Sequence, residues 1–151
     1  MSLSKNQNLS VSICALEIIP LADVASISRT TDKHHVTITL NSGKSMTKVY
    51  FTPGTAELSV KPKETDAGTI YEQMLKISYP GIDDSNLQSF DSLVDRPLLV
   101  VLYLSSDVKL LIGGNGNGAK LSVNSQISSK SSGSVLEISW ASASPHYILS
   151  N

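Results

Sequence analysis

The last third of the chain limits the possible folds more than any other stretch. A continuous apolar run, Leu98 to Leu104 (LLVVLYL), leads through Ser105-Ser106-Asp107 into VKLLI, and the glycine tract Gly113 to Gly118 (GGNGNG) follows. After it come AKLSVNSQI, SSKSSGS and VLEISWASASPHYIL. Short apolar runs cut off by Gly, Ser and Asn are what an antiparallel sheet folding back on itself requires. Those residues reach tight-turn conformations at little cost.

Most of the remaining chain alternates with period two rather than 3.6. Val36, Ile38 and Leu40 alternate with His35, Thr37 and Thr39 and close on Asn41-Ser42-Gly43. Thr47, Val49 and Phe51 then share a face, so a hairpin is expected across that turn. Pro53-Gly54 breaks the strand, and Ala56, Leu58 and Val60 alternate with Glu57, Ser59 and Lys61. Beyond Asp66-Ala67-Gly68, Tyr71, Leu75, Ile77 and Tyr79 line one side of a longer strand, with Glu72, Met74 and Lys76 opposite, until Pro80-Gly81. Near the start, Val11, Ile13 and Ala15 against Cys14, Leu16 and Ile18 suit a strand buried on both faces.

Only Asp83 to Asp95 reads as a helix. Leu87, Phe90, Leu93 and Val94 fall three and four apart, Asp83, Asp84 or Ser85 can cap the start, and Asp95-Arg96-Pro97 ends it. No repeat of fixed period and no long linker divides the chain. The expectation is one β-rich domain over residues 1–151 with residues 1–8 flexible. Its class is mainly β: an antiparallel β-sandwich or barrel of about eight to ten strands with one short helix.

Composition removes several functional classes. The 151 residues are 40% hydrophobic, enough for an ordinary core. A net charge of -1 with 17% charged residues is too balanced to hold a nucleic-acid backbone by bulk charge, and it leaves no polybasic membrane patch. Cys14 is the only cysteine, so an intrachain disulfide and a multi-thiolate zinc site are excluded. LSVSICALEIIPLA is interrupted by Ser10, Ser12, Glu17 and Pro20 and falls short of the roughly 20 apolar residues of a span. It also lacks the layout of a signal peptide, so synthesis without a cleaved leader in the cytoplasm is expected. The sequon Asn8-Leu9-Ser10 matters only in a glycosylating cell.

The motifs that suggest chemistry each fail a geometric requirement. GGNGNGAK (Gly113 to Lys120) lacks the Lys-Ser/Thr pair directly after its final glycine that a phosphate loop needs. Its GxGxG spacing is followed by a strand, which excludes the dinucleotide fingerprint. A flexible hairpin tip is the expected role, and such a tip tolerates shortening. His34 and His35 point to opposite faces of a strand, His146 is distant, and no cysteine or second histidine pair completes a metal site. Asp83, Asp84, Asp91 and Asp95 lack the 12-residue calcium-loop spacing and read as helix caps and a solvated face. No serine sits in a Gly-x-Ser-x-Gly elbow. Trp140 follows Leu136 and Ile138 on one strand face, as a core anchor packed against the Leu98–Leu104 strand. The five tyrosines are scattered rather than gathered into a stacking platform. The expectation is therefore a non-enzyme with no catalytic, cofactor-binding or metal-binding residue and no cofactor.

The second half resembles phage and prophage virion proteins of the tail or neck, of the tail-tube and tail-completion kind. The residues that carry the resemblance are GTIYEQMLKISYPG (Gly68 to Gly81), LLVVLYLSSDVKLLIGGNGNGAKLSVN (Leu98 to Asn124) and SSGSVLEISWASASPHYIL (Ser132 to Leu149). In that family a strand carrying xLLG precedes a Gly-rich turn, and a last strand ends in an aromatic PxxY/F-like tail. Leu110-Leu111-Ile112-Gly113, Gly133 and Pro145-His146-Tyr147 occupy those places here. The resemblance implies a non-enzymatic structural subunit that self-associates through β edges or the glycine hairpin as a ring or stacked oligomer. Its partners would be itself and other tail proteins, with no nucleic acid bound by bulk charge and no membrane. It would be cytoplasmic during synthesis and then part of a virion or tail particle. The rival expectation is a β-sandwich module recognising a carbohydrate or surface ligand through Asn41–Lys44 and Gly113–Lys120.

Overall fold

A computed structural model describes residues 12–29, 35–52, 54–80, 90–114, 118–127, 132–143 and 147–150. Eleven strands among them form two sheets: β1 (Ile13–Pro20), β2 (Val24–Arg29), β3 (His35–Leu40), β4 (Thr47–Lys48), β5 (Glu57–Thr65), β6 (Gly68–Pro80), β7 (Leu98–Leu104), β8 (Lys109–Ile112), β9 (Lys120–Ile127), β10 (Ser132–Ser142) and β11 (Ile148–Leu149). The first sheet has seven strands in the order β2-β3-β11-β8-β7-β1-β4, and the second has four in the order β5-β6-β10-β9. No pairing among the described residues closes either sheet on itself, so the architecture is a sandwich and not a barrel.

The period-two pattern becomes the two faces of the second sheet. On β6, Gln73, Leu75 and Ile77 are buried while Glu72, Met74 and Lys76 are exposed. Leu136, Ile138 and Trp140 of β10 continue the buried face, and Leu121 of β9 completes it. Three buried polar residues share this face, Gln73, Ser134 and Ser142, and Gln73 donates from Nε2 to Ser142 Oγ at 3.1 Å. In the first sheet β7 occupies a central place, and Leu98 to Leu102 are all fully buried. A strand covered on both faces reads as an unbroken apolar run, as LLVVL does. One hydrophobic cluster draws on both sheets, from Leu16 and Val100 to Leu136 and Trp140.

Three expectations change. The Asn41–Gly43 turn does not fold β3 back onto the next strand: β3 pairs with β2 and β11, while β4 pairs with β1 at the far edge of the same sheet. Lys44 N–H closes the turn on Asn41 O at 3.0 Å, but the chain then crosses the sandwich. Val49 donates to Leu16 O and Thr52 to Ser78 O of β6, each at 2.9 Å, so Val49 and Phe51 are buried between the sheets. Secondly, β1 is not buried throughout. A bulge between Ile13 and Ala15 turns Cys14 out to an exposed position. The third change is the glycine tract, taken up below.

Of the expected helix, residues 83–89 lie outside the described residues, while 90–93 are helical. The Val94 N–H donates to Phe90 O at 3.0 Å, and Asp95 ends the turn with φ +70°. Phe90 packs edge-on to Tyr79 with ring centroids 5.2 Å apart, tying the helical turn to the end of β6. A 3-10 turn at Leu21–Asp23, not foreseen from the sequence, joins β1 to β2. The expectation of flexible residues 1–8 also falls outside the described residues.

Candidate interaction surface

The glycine tract is a crossover between the sheets and not a hairpin tip. It runs from β8 in the first sheet to β9 in the second. Residues 115–117 lie outside the described residues, but both flanks of the tract are packed. Leu98 N–H donates to Ala119 O and Ala119 N–H to Leu98 O, both at 2.9 Å, pinning the chain to the start of β7. Gly113, with φ +90°, lies against this bridge: a Cβ there would overlap Leu98 O and stand 2.8 Å from Ala119 N. Gly118, with φ +74°, has the same constraint from Pro97, whose Cβ would be 2.9 Å away. Gly113 and Gly118 stand where two backbones meet, which is why shortening this segment is not the mild change a loop tip would allow.

A chain of backbone hydrogen bonds connects this crossover to the Asn41–Lys44 turn. Asn41 N–H donates to Asp23 O and Leu21 N–H to Pro97 O, each at 2.9 Å, and Pro97 precedes the Leu98–Ala119 bridge. Asn41 Nδ2 adds a bond to Ala22 O at 3.1 Å, and Lys44 Nζ stands 3.9 Å from Asp23 Oδ1. The two loops expected to serve a binding module are thus built into one network. Beside it, residues 94–97 and the start of β9 enclose a cleft of about 720 Å³ that includes Arg96, Lys120 and Ser139. Lys120 and Ser139 also border a hollow of about 750 Å³ on the outer face of the second sheet, where Ser59, Met74, Ser139 and Lys120 form one row across four strands. Charged rows flank it: Lys63 pairs with Glu72 at 3.5 Å and Lys76 with Glu137 at 4.0 Å. Such exposed pairs contribute little to stability and set only the local charge.

The sheet edges differ sharply from one another. Edge strand β4 has two residues. Edge strand β2 carries a bulge between Val24 and Ser26. Edge strand β5 carries Lys61, Pro62, Lys63 and Glu64 in succession, all exposed. Short length, bulges, charge and proline are the devices by which proteins keep sheet edges from pairing with another chain. The fourth edge, β9, has eight residues (KLSVNSQI), no proline and a single charge at its first position.

Among the described residues, the titratable residues singled out in the sequence are scattered. His35 stands on β3 opposite Ile148, while His34 and His146 lie outside the described residues, as do Asp83 and Asp84. Asp91 and Asp95 are exposed, and no cluster of three or more His, Cys, Asp or Glu gathers among the described residues. Burial pushes the Tyr103 phenol pKa up, and the Glu17 carboxylate, which accepts its hydrogen bond, pushes it further. Lys109 Nζ sits 5.5 Å from the centre of the same ring. Trp140 is 7% exposed with its ring 5.8 Å from that of Tyr147, a buried anchor and not a platform. No helix among the described residues is long and apolar enough to cross a membrane. Comparison with protein-family models, curated proteins and solved structures gives no match.

Proposed function

We propose that the protein is a non-enzymatic structural subunit of a phage-like tail or neck assembly that self-associates through a β edge and has other tail proteins as its further partners. The observation that carries this reading is a β-sandwich in which one long edge, β9, lacks the blocking features of the other three. A net charge of -1 suits close packing of many copies. The resemblance of the second half of the sequence to tail and neck proteins supplies the context. After synthesis in the cytoplasm, the subunit would reside in the virion or tail particle. The test is mass spectrometry of purified particles from the producing cell, with inspection of the neighbouring genes. Recovery of the protein in particles, from a gene among tail-assembly genes, is the expected result. Its absence from particles that otherwise contain a complete tail would refute the reading.

A second reading has its own support. The hollow on the second sheet, with Lys61 and Lys120 beside the Ser59–Met74–Ser139 row, suits a binding module for a carbohydrate or surface ligand. Glycan-array binding that is lost in Lys120→Ala, from a chain that stays monomeric in light scattering, would favour it over the structural subunit.

A further inference from the structure

We propose that the chain pairs with a second copy of itself through β9, edge to edge and antiparallel, and that this pairing closes at two. The proposal rests on the structural-subunit reading and says which edge carries the contact and what symmetry follows. Among the described residues, nothing pairs with the outer side of β9. The rival edges exclude themselves for different reasons. The two residues of β4 offer almost no ladder, and the bulge in β2 turns its edge out of line. In β5, Lys61 is the middle residue of Glu57–Thr65, so two-fold self-pairing would set it against its own mate. Pro62 beside it lacks the N–H a ladder needs.

Among the described strands, β9 is the one open edge the molecule has to offer. Its pairing partner is then the same edge on another copy, which makes the contact isologous and two-fold. Opposed residues must lie on the same face, so the axis passes through a residue and not between two. Residues 94–97 stand across a cleft from Lys120, Leu121 and Ser122, so the axis falls in the later part of the strand, on Val123, Asn124 or Ser125. With any of these, the two copies of Lys120 stay at least about 20 Å apart at about 3.4 Å per residue. That exceeds the Debye length of about 8–10 Å, so the single charge of the edge does not oppose pairing. Two four-stranded sheets become one of eight. The shared ladder is small against the roughly 800 Å² per partner of a stable interface, so the dimer is weak and concentration-dependent. Any ring or tube built from this chain would then grow through a surface other than a sheet edge.

Asn124 is exposed on the outer face and lies opposite or diagonal to its mate in every allowed register. Sedimentation equilibrium on the full chain, from micromolar to millimolar concentration at about 0.1 M salt, should show a monomer–dimer equilibrium. Asn124→Lys should weaken it by about fivefold, the upper end for like charges facing across strands, and Asn124→Asp should do the same. Mixing the two variants should restore a one-to-one dimer, a result that misfolding of either cannot give. Lys61→Glu on β5 should leave the equilibrium unchanged. A wild-type monomer at every concentration would overturn the proposal, as would any oligomer indifferent to both Asn124 changes. Neither result touches the particle test of the structural-subunit reading, and a β9 dimer absent from particles would refute only that reading.

Discussion

Replacing Gly113 by alanine isolates what the crossover between the sheets demands. Two costs combine. The backbone there has φ +90°, a region that an L-residue enters at about 1–2 kcal/mol. The added methyl also meets backbone that cannot swing aside: Leu98 O, which accepts the Ala119 N–H, and Ala119 N at 2.8 Å. Forcing a methyl into such a site costs about 1–3 kcal/mol. The sum is about 2–5 kcal/mol. Gly43→Ala provides the control, because Gly43 has φ +77° and nothing within 4 Å of the added carbon. That change should cost only the conformational part, about 1–2 kcal/mol. Urea unfolding followed by fluorescence measures both, since Trp140 is the only tryptophan and is buried. At about 2–4 °C per kcal/mol for a chain of this length, the melting temperature of Gly113→Ala should fall roughly twice as far as that of Gly43→Ala. If the two variants unfold at the same urea concentration with equal slopes, the close approach at Leu98 is not a constraint and the reasoning fails.

Trp140→Ala should destabilise by about 3–5 kcal/mol, the range for emptying a large aromatic site, and native Trp140 emission should be blue-shifted relative to the unfolded chain. Ser142→Ala removes the acceptor of the Gln73 amide inside the sandwich and should cost about 1–3 kcal/mol, whereas Gln73→Leu with Ser142→Ala together should recover part of it in a double-mutant cycle. Because the Tyr103 pKa is raised in the folded state, the neutral phenol favours folding. That contribution is complete below the unfolded value near 10 and is lost as pH rises through the higher folded value. Tyr103→Phe should therefore flatten the alkaline limb of a stability–pH curve, as read by thermal melts above neutrality. Self-association of the wild-type chain should change little between low and moderate salt, because main-chain pairing and apolar contact are weakly screened. Light scattering across that range checks it.

The sequence revealed strand faces far better than strand partners. Tyr71 to Tyr79 alternate cleanly because one side of β6 meets the core and the other meets solvent, and the tight Asp66-Ala67 connection leaves β5 no other neighbour. LLVVL pointed to a strand, and the fold shows Leu98 to Leu102 fully buried. The Asn41–Gly43 turn misled because turn chemistry records a change of direction, not a destination. Whether the chain returns beside β3 or crosses to Ser78 is decided by Val49 and Phe51 finding the gap between the sheets. At Gly113 the residue type signalled positive φ correctly, but a glycine demanded by a nearby carbonyl looks the same in sequence as one demanded by a turn. The single charge and missing proline of β9 are plain in its composition, yet its position as an edge exists only in the assembled sheet. Nothing in the sequence marks Ile148–Leu149 as a strand, since two residues carry no period.

Those two residues govern how the molecule can be made. The β2–β3 hairpin is joined to the rest of its sheet through β11, which runs parallel to β3 at His35–Ile148 and antiparallel to β8 at Leu110–Ile148. Ser150 N–H to Val36 O at 2.8 Å and Leu111 N–H to Tyr147 O at 2.9 Å bolt the wedge in from either side. Until residues 147–150 leave the ribosome, the hairpin near the start of the chain has no place in the sheet to dock. It must wait as an orphan through more than a hundred residues of synthesis. A closure of that sequence separation is entropically slow, so an early hairpin with an unsatisfied side is the species on which a chaperone or an aggregate would act. Should the wedge lose its grip, the β2–β3 hairpin loses its ladder to the rest of the first sheet while the second sheet keeps every pairing.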